Sequence, residues 1–328
     1  MQSRKTSADL WHQKPYYSLD AWCKNTYGRK LYKAALDIGC TCPNRDGTLD
    51  TRGCIFCSAG GSGDFAASRQ LSVTDQLNQA KALLSSKWTP EPGKPSLIAY
   101  FQAYTNTYGD PDRLLSCYEE ALSSPEVAGI SIATRPDCLS DIILEGLDRL
   151  RLLYPDRFIW IELGLQSIHD HTAARIRRGY PTSVFYDAAA KLHARKLPFI
   201  VHLILGLPGE TRLDLQESIR AVNQVHPFGV KLQLLHILKG TDLALLYESG
   251  KLPVLTQEKY LDLLISCIAA LSPDICLHRI TGDGPRKLLI APQWSLSKRN
   301  VLNRLHALMK QRNLRQGDNY EPGTSYTL

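Results

Sequence analysis

The feature that most constrains the fold is a repeated alternation of short apolar runs with amphipathic stretches, beginning near residue 31. Six runs, Leu31–Ile38, Leu97–Phe101, Gly129–Ala133, Phe158–Leu163, Phe199–Leu205 and Val230–Leu235, are dominated by aliphatic, β-branched and aromatic residues. Runs without a polar face predict strands covered on both sides, as in parallel sheets. Helical spacing fills the intervals. Leu77, Ala80 and Leu84 share one face after a cap at Thr74; Ile143, Leu147 and Leu150 do so after Ser140; Leu215, Ile219 and Val222 do so after Thr211, with Asp214 three residues on. Six strand–helix units predict an α/β fold, a partial (β/α)6 barrel rather than a closed barrel of eight.

Beyond Pro253 the alternation changes. A helix is expected over Gln257–Leu271, a strand over Ile275–Ile280, a turn at Thr281–Arg286, and an amphipathic helix over Lys298–Arg312 with Val301, Leu305 and Leu308 inward. The tail from Gln316 reads as loop or a loosely held end. The expected organisation is an N-terminal extension over 1–30, a barrel over 31–252, a C-terminal α/β extension over 253–315 and a tail over 316–328. The first residues carry no apolar signal core, and no apolar run reaches the ~18–20 residues that span a bilayer. Together these predict a cytoplasmic protein with no membrane partner.

Nine cysteines are present, and four crowd into Cys40–Cys57. That density points to metal rather than disulfides in an intracellular chain. The segment LDIGCTCPNRDGTLDTRGCIFC directly follows the first strand. Two chemistries fit the spacing: four thiolates around structural zinc, or three thiolates on a [4Fe–4S] cluster with one iron left open. Location favours the second, because the chemistry of parallel α/β folds sits at the carboxyl ends of the strands. The scattered Cys23, Cys117, Cys138, Cys267 and Cys276 read as ordinary core or surface thiols.

The stretch CPNRDGTLDTRGCIFC resembles the cluster loop of radical S-adenosylmethionine (SAM) enzymes, in the long-spacing branch related to the catalytic subunit of Elongator. Eleven residues separate Cys42 from Cys54, where the usual loop of that superfamily has three. YFQAYTNTY (Tyr100–Tyr108), ISIATRPDCL (Ile130–Leu139), IELGLQSIHDHTAARIRRG (Ile161–Gly179), HLILGLPGET (His202–Thr211) and KLQLLHILKGT (Lys231–Thr241) are similar to further segments of the branch.

The resemblance implies that Cys42, Cys54 and Cys57 ligate the cluster, with Phe56 beside it. It implies that Gln102, Ala103 and Tyr104 hold the SAM amino group, although that turn is usually glycine-rich. Gln166 and His202 would contact the ribose, and Arg178 the SAM carboxylate, with Arg175 and Arg177 as rivals; a guanidinium fork suits a carboxylate. Gly206 and Leu207–Gly209 would approach the adenine. Glu162 shares a strand face with Gln166 and is a candidate catalytic or cofactor-contacting carboxylate that needs a buried partner. A 5′-deoxyadenosyl radical would do the chemistry, after one electron from a donor such as flavodoxin or ferredoxin.

Net charge is +7, and no acidic residue occurs from Pro285 through Gly317. That stretch holds Lys298, Arg299, Arg304 and Lys310, among other cations, a pattern expected of phosphate contact. The segment His278–Ser295 resembles MnmL-type enzymes of Gram-positive bacteria. The resemblance implies a tRNA partner and conversion of wobble 5-carboxymethylaminomethyl(-2-thio)uridine to the 5-aminomethyl base. The alternatives are a radical SAM enzyme on a small metabolite and a zinc-ribbon RNA-binding protein.

Overall fold

The protein is described from a computed structural model covering residues 10–84, 94–282 and 284–322. It divides into two compact units: one of Arg29–Gly164 with Arg177–Phe199, the other of the segment ending at Gly28 with Leu165–Ile176 and Ile200–Leu328.

In the first unit β1 (Tyr32–Leu36), β2 (Leu97–Phe101), β3 (Val127–Thr134) and β4 (Phe158–Gln166) run parallel in chain order. Strands β2 and β3 are buried at every position, as expected of strands sandwiched on both faces. Helices α2 (Val73–Leu84), α3 (Pro111–Ser123), α4 (Asp141–Leu153) and α6 (Thr182–Ala194) belong to this unit. The ring of Phe101 on β2 meets Tyr118 on α3 edge-on at 4.9 Å, which identifies the helix-facing side of the sheet. Alternate residues therefore face the opposite way. Helices α3 and α4 approach closely because Gly146 leaves room for Leu115: a Cβ at 146 would lie 2.3 Å from its Cδ1.

In the second unit β5 (Phe199–Leu205), β6 (Gly229–Leu234) and β8 (Cys276–Arg279) form a parallel ladder. Seven strands thus lie in parallel ladders, because the strand expected at 275–280 joins β6 rather than standing apart. Strands β7 (Ile237–Leu238) and β9 (Leu289–Ala291) make a short antiparallel ribbon that carried no clear sequence signal. The helices here are α1 (Leu19–Tyr27), α5 (Asp170–Arg175), α7 (Arg212–Val225), α8 (Asp242–Glu248), α9 (Gln257–Ala270) and α10 (Lys298–Gln311). Among the described residues no helix is long and apolar enough to cross a membrane.

Helix starts follow side-chain chemistry. Ser140 caps α4 through Ile143 N, and Thr211 with Asp214 forms a reciprocal capping box on α7. The cap expected at Thr74 lies two residues earlier. Ser72 accepts from Asp75 N at 3.0 Å, whereas Thr74 lies inside α2 and donates its hydroxyl to Glu120. The inward face of α2 is accordingly Val73, Gln76 and Leu77. On α10 the buried stripe is Val301, Leu305 and Met309, an i, i+4 row, so Met309 takes the place expected of Leu308.

The start of the tail is not loosely held. Gln316 is buried: its amide nitrogen donates to Ser272 O and Ile275 O at 2.7 and 2.8 Å, and its amide oxygen accepts Tyr17 N at 2.9 Å. Backbone contacts add Gln316 N to Pro15 O and Asn319 N to Ala269 O. This one amide laces the N-terminal segment to the turn before β8. Residues 323–328 of the expected tail, and Asp283 of the TGDG turn, lie outside the described residues.

The flanks of that turn clasp His236. A Cβ on Gly282 would fall 2.5 Å from His236 Cε1, and one on Gly284 would fall 3.4 Å from Cγ. The Ser295 hydroxyl donates to Pro292 O at 2.8 Å, so it accepts from His236 Nε2 at 3.1 Å. Nε2 therefore carries a proton. Burial, with Lys298 and Arg279 nearby, pushes its pKa down to about 4.

Candidate active site

The first unit carries the cysteine loop. Gln76 of α2 holds the end of β1, accepting Asp37 N at 2.9 Å and donating to Asp37 O at 2.8 Å. The Asp37 carboxylate accepts Gly39 N, and the chain turns away from the sheet. Successive turns follow. Cys42 O accepts Arg45 N at 2.7 Å, Asn44 O accepts Gly53 N at 2.7 Å, and Cys54 O accepts Cys57 N at 3.0 Å.

These turns bring Cys42, Cys54 and Cys57 into one another's electrostatic field. Burial pushes the Cys54 thiol up to about 12 and raises that of Cys57. A bound metal would favour the thiolate form at these positions. Cys40 is buried elsewhere; its charged neighbours are Arg113 and Asp37, with Cys117 beside it, and burial raises it to about 11. Three soft thiolate donors, with Cys40 in a different environment, suit an iron–sulfur cluster that leaves one iron open.

Two loop residues not singled out by the sequence pattern hold this geometry. Arg45 crosses over Gly53, where a Cβ would meet its Nε at 2.8 Å, and donates to Cys57 O and Ser58 O at 2.8 and 2.7 Å. Asn44 donates to Arg177 O at 2.8 Å and Arg178 O at 3.0 Å, with Cys54 Sγ at 3.7 Å. Arg135, bidentate on Asp137, donates a third bond to Arg178 O at 2.8 Å. Arg177 returns the contact through Nε to Gly53 O at 3.0 Å. The cysteine loop and the Arg-Arg-Gly turn are therefore one hydrogen-bonded body. Cys138, read as an ordinary thiol, lies in the field of Cys42 and beside Asp137.

Gln102, Ala103 and Tyr104 pack on the loop that follows the cysteines. Gln102 donates to Ser62 O at 2.6 Å, Tyr104 N donates to Gly61 O at 2.8 Å, and the Tyr104 hydroxyl donates to Ala59 O. Gly61 has no room for a side chain, since a Cβ would lie 2.3 Å from the Tyr104 ring. Tyr104 holds φ +62°, a left-handed conformation that a non-glycine residue adopts under local constraint. Phe56 is half-buried beside the last two cysteines.

Arg178 is 1% exposed. Its Nε and Nη2 donate to Tyr180 O at 3.1 and 3.0 Å, Nη2 also donates to Thr182 Oγ1 at 2.9 Å, and its plane lies over the Tyr180 ring. Glu162 is fully buried, and its partner is a lysine: Oε1 accepts Lys33 Nζ at 2.9 Å and Ser131 Oγ at 2.6 Å.

The second unit carries the other expected contacts. Gln166 ends β4 at φ +64°. Arg175 donates to Pro208 O at 3.0 Å, and a Cβ on Gly209 would meet its Nη1 at 2.1 Å, so this arginine braces the Gly-Leu-Pro-Gly turn. His202 on β5 pairs in register with Lys231 on β6. His169, not singled out from the sequence, lies 3.7 and 3.6 Å from Asp214 and Glu217 carboxylates, but its Nε2 already donates to Asp214 O.

Helix α10 carries the expected RNA-contacting residues. The tertiary structure supplies acids that the local sequence lacks. Arg304 pairs with Glu258 at 3.0 Å and Gln257 at 2.8 Å, and Arg312 pairs with Asp262 at 2.5 Å, all on α9. Lys298 and Arg299 instead line a concavity of about 580 Å³ at the start of α10, with Asn300 and Asn303. Lys310 is exposed in the last turn.

Residues 42–222 match the Radical SAM superfamily, and residues 227–311 match the Radical_SAM C-terminal domain. The chain is 41% identical over 305 residues to YtqA of Bacillus subtilis, covering 93% of this chain and 92% of that one. It is 36% identical over 271 residues to YhcC of Escherichia coli, covering 82% and 84%. A more distant relative is mouse Elongator complex protein 3, 26% identical over 51% of this chain and 30% of the relative. The archaeal Elp3 of Methanocaldococcus infernus shares the fold at TM-score 0.64 and 16% identity, over 87% of this chain and 64% of that chain. The α/β partial-barrel architecture is thus the one its strand alternation predicts, and the zinc-ribbon alternative falls away. With its matched segment beginning at the first loop cysteine and spanning most of both units, the chain belongs to the radical SAM superfamily, whose enzymes work with a [4Fe–4S] cluster and SAM.

Proposed function

We propose that this enzyme modifies the wobble uridine of tRNA, converting 5-carboxymethylaminomethyl(-2-thio)uridine to the 5-aminomethyl base. The observation that carries the reading is the start of α10, where Lys298 and Arg299 border a concavity with two asparagine amides. Cations and amides together suit phosphate oxygens. The distant kinship with Elongator complex protein 3 and the resemblance of His278–Ser295 to MnmL-type enzymes support the choice of substrate.

In this reading Cys42, Cys54 and Cys57 hold the cluster. The cluster and SAM, when bound, would supply the radical chemistry that opens an unactivated C–H bond. The protein's own share is position and dryness. Arg45 and Asn44 fix the cysteine turns. Gln102, Ala103, Tyr104, Gln166, Arg178 and His202 are the proposed SAM contacts. Flavodoxin or ferredoxin is the proposed electron donor. The division into barrel and C-terminal extension assigns cofactor chemistry to 31–252 and tRNA contact to 253–315.

A second reading, turnover of a small metabolite, is favoured by one observation: Arg304 and Arg312 are already paired with acids of α9. Mass spectrometry of tRNA nucleosides from a strain lacking the gene separates the two. Accumulation of the carboxymethylaminomethyl nucleoside supports the tRNA reading; an unchanged nucleoside profile overturns it.

A further inference from the structure

We infer that the concavity between Tyr247 and Trp294 is a seat for one unpaired nucleobase of an RNA strand. The inference rests on the tRNA reading of the neighbouring α10 surface and deepens it: phosphates at Lys298 and Arg299, a base here.

The concavity has a volume of about 490 Å³ and belongs wholly to the second unit. Three parts of the chain wall it. Strand β9 contributes Ile290 and Ala291 and runs on into Gln293 and Trp294. Tyr247 comes from the last turn of α8, and the segment from Val254 to Glu258 leads into α9.

The indole of Trp294 is fixed before any ligand arrives. Its N–H donates to Leu255 O at 3.1 Å, which ties two of the walls together. Its ring meets the fully buried Tyr260 at 5.4 Å, tilted by 41°. The residue is nonetheless only half-buried, and it lines the concavity. A tryptophan held by its edge and backed by a second ring is a stacking platform that loses little freedom on binding. Every nucleobase has a π face to offer it.

Polar groups without partners surround this platform. Among the described residues the Tyr247 hydroxyl makes no hydrogen bond. Gln293 donates through Nε2 to Leu289 O and Ile290 O at 3.0 and 2.9 Å, so its amide oxygen is left to accept. Gln257 accepts Arg304 Nη1 through Oε1 at 2.8 Å, so its amide nitrogen is left to donate. A hydroxyl, a donor and an acceptor beside one aromatic ring match the mixed edge of a base. A phosphate presents acceptors only, and the carboxylate of Glu258 stands among the lining residues.

Arg304 joins this concavity to the cationic one. Asn300 and Asn303 line the latter, and Arg304 lies one turn beyond Asn300 on the same face of α10. Its guanidinium reaches Gln257 at 2.8 Å and Glu258 at 3.0 Å, which line the former. The chain makes the same link. Trp294 and Lys298 are four residues apart, a span of at most about 14 Å. A base platform and a phosphate-binding surface thus adjoin, as one single strand requires.

The test measures binding of the cluster-loaded, full-length enzyme to two labelled oligomers of equal length and charge by fluorescence anisotropy. One is heptauridine, the other an abasic ribose-phosphate heptamer. Wild type is expected to bind heptauridine about five- to hundred-fold more tightly, the scale of one base stacked on an aromatic side chain. That ratio should hold across a salt series, because both strands release the same counterions. Trp294→Leu is expected to bring the two affinities together, while Trp294→Phe keeps most of the difference. Should Trp294→Leu fail to fold, Tyr247→Ala reads the same site and should lower the ratio. Equal binding of the two oligomers by wild type, or a ratio unchanged in the variants, overturns the inference. Uridine 5′-monophosphate that displaces heptauridine as well as the unlabelled oligomer does would make the ligand a free nucleotide and overturn the choice of RNA. Failure of the tRNA reading shows separately, as an unchanged nucleoside profile with the uridine–abasic difference intact.

Discussion

Asn44 Oδ1 occupies the space that a side chain at Gly179 would need: a Cβ there would lie 2.4 Å from it. The same asparagine holds the carbonyls of Arg177 and Arg178 and faces Cys54. Gly179 also sits at φ +84°. Gly179→Ala is therefore expected to cost about 1–3 kcal/mol in backbone strain alone and to loosen the cysteine loop. Denaturant unfolding together with iron per chain checks this; wild-type values for both would show that the turn and the loop are uncoupled.

Cys42→Ala, Cys54→Ala and Cys57→Ala should each abolish the iron-dependent visible absorbance after anaerobic reconstitution. Cys40→Ala should retain it, because that thiol is buried beside Arg113. Loss of colour in Cys40→Ala with retention in Cys42→Ala would reverse the ligand assignment.

Gln166→Ala and Arg178→Ala should keep the cluster and weaken SAM, Arg178→Ala by about ten- to hundred-fold, the scale of one buried charge-assisted hydrogen bond. Arg178→Ala carries a second effect. Its guanidinium holds Tyr180 O and Thr182 Oγ1, so unfolding should also occur at lower denaturant. SAM titration and unfolding curves on both variants separate the roles.

Charge reversal on α10 should act unequally. Lys298→Glu with Arg299→Glu is expected to weaken tRNA binding and to flatten its salt dependence, as fewer counterions are released. Arg304→Glu should instead lower stability only slightly, because it opposes Glu258 on an exposed surface. Binding across a salt series distinguishes them; identical slopes for wild type and the double variant would remove the electrostatic argument for tRNA.

The His236 imidazole titrates near 4 in the folded protein and near 6.5 when unfolded. Between those values only the unfolded chain takes up the proton, so stability rises with pH across this window. The contribution is complete above about pH 6.5 and is lost as pH falls toward 4, with an upper bound of roughly 3 kcal/mol. Denaturant midpoints at pH 4.5 and 7.5 should differ less in His236→Gln than in wild type.

Much of this was legible along the chain because it is local. Apolar runs marked all six expected strands to within a few residues, and Ser140 and Thr211 announced their helices, since a cap acts over three positions. The crowding of cysteines after β1 pointed to metal for the same reason. The sequence by itself thus determined the alternation, the caps at Ser140 and Thr211 and the crowding of thiols after the first strand.

The tertiary structure decided which distant groups meet. Lys33 is a lone cation in an apolar strand, but only the parallel register brings it to Glu162, 129 positions away. Asn44 reaches Arg178 across 134 positions. Arg304 finds Glu258 because α9 and α10 are neighbours, so a stretch without acids is partly neutralised in three dimensions. Gln316 is tied down by Tyr17, 299 positions earlier. Each of these contacts depends on crossover connections and helix packing that place residues by register, and a side chain's partner is then set by which strand or helix lies beside it.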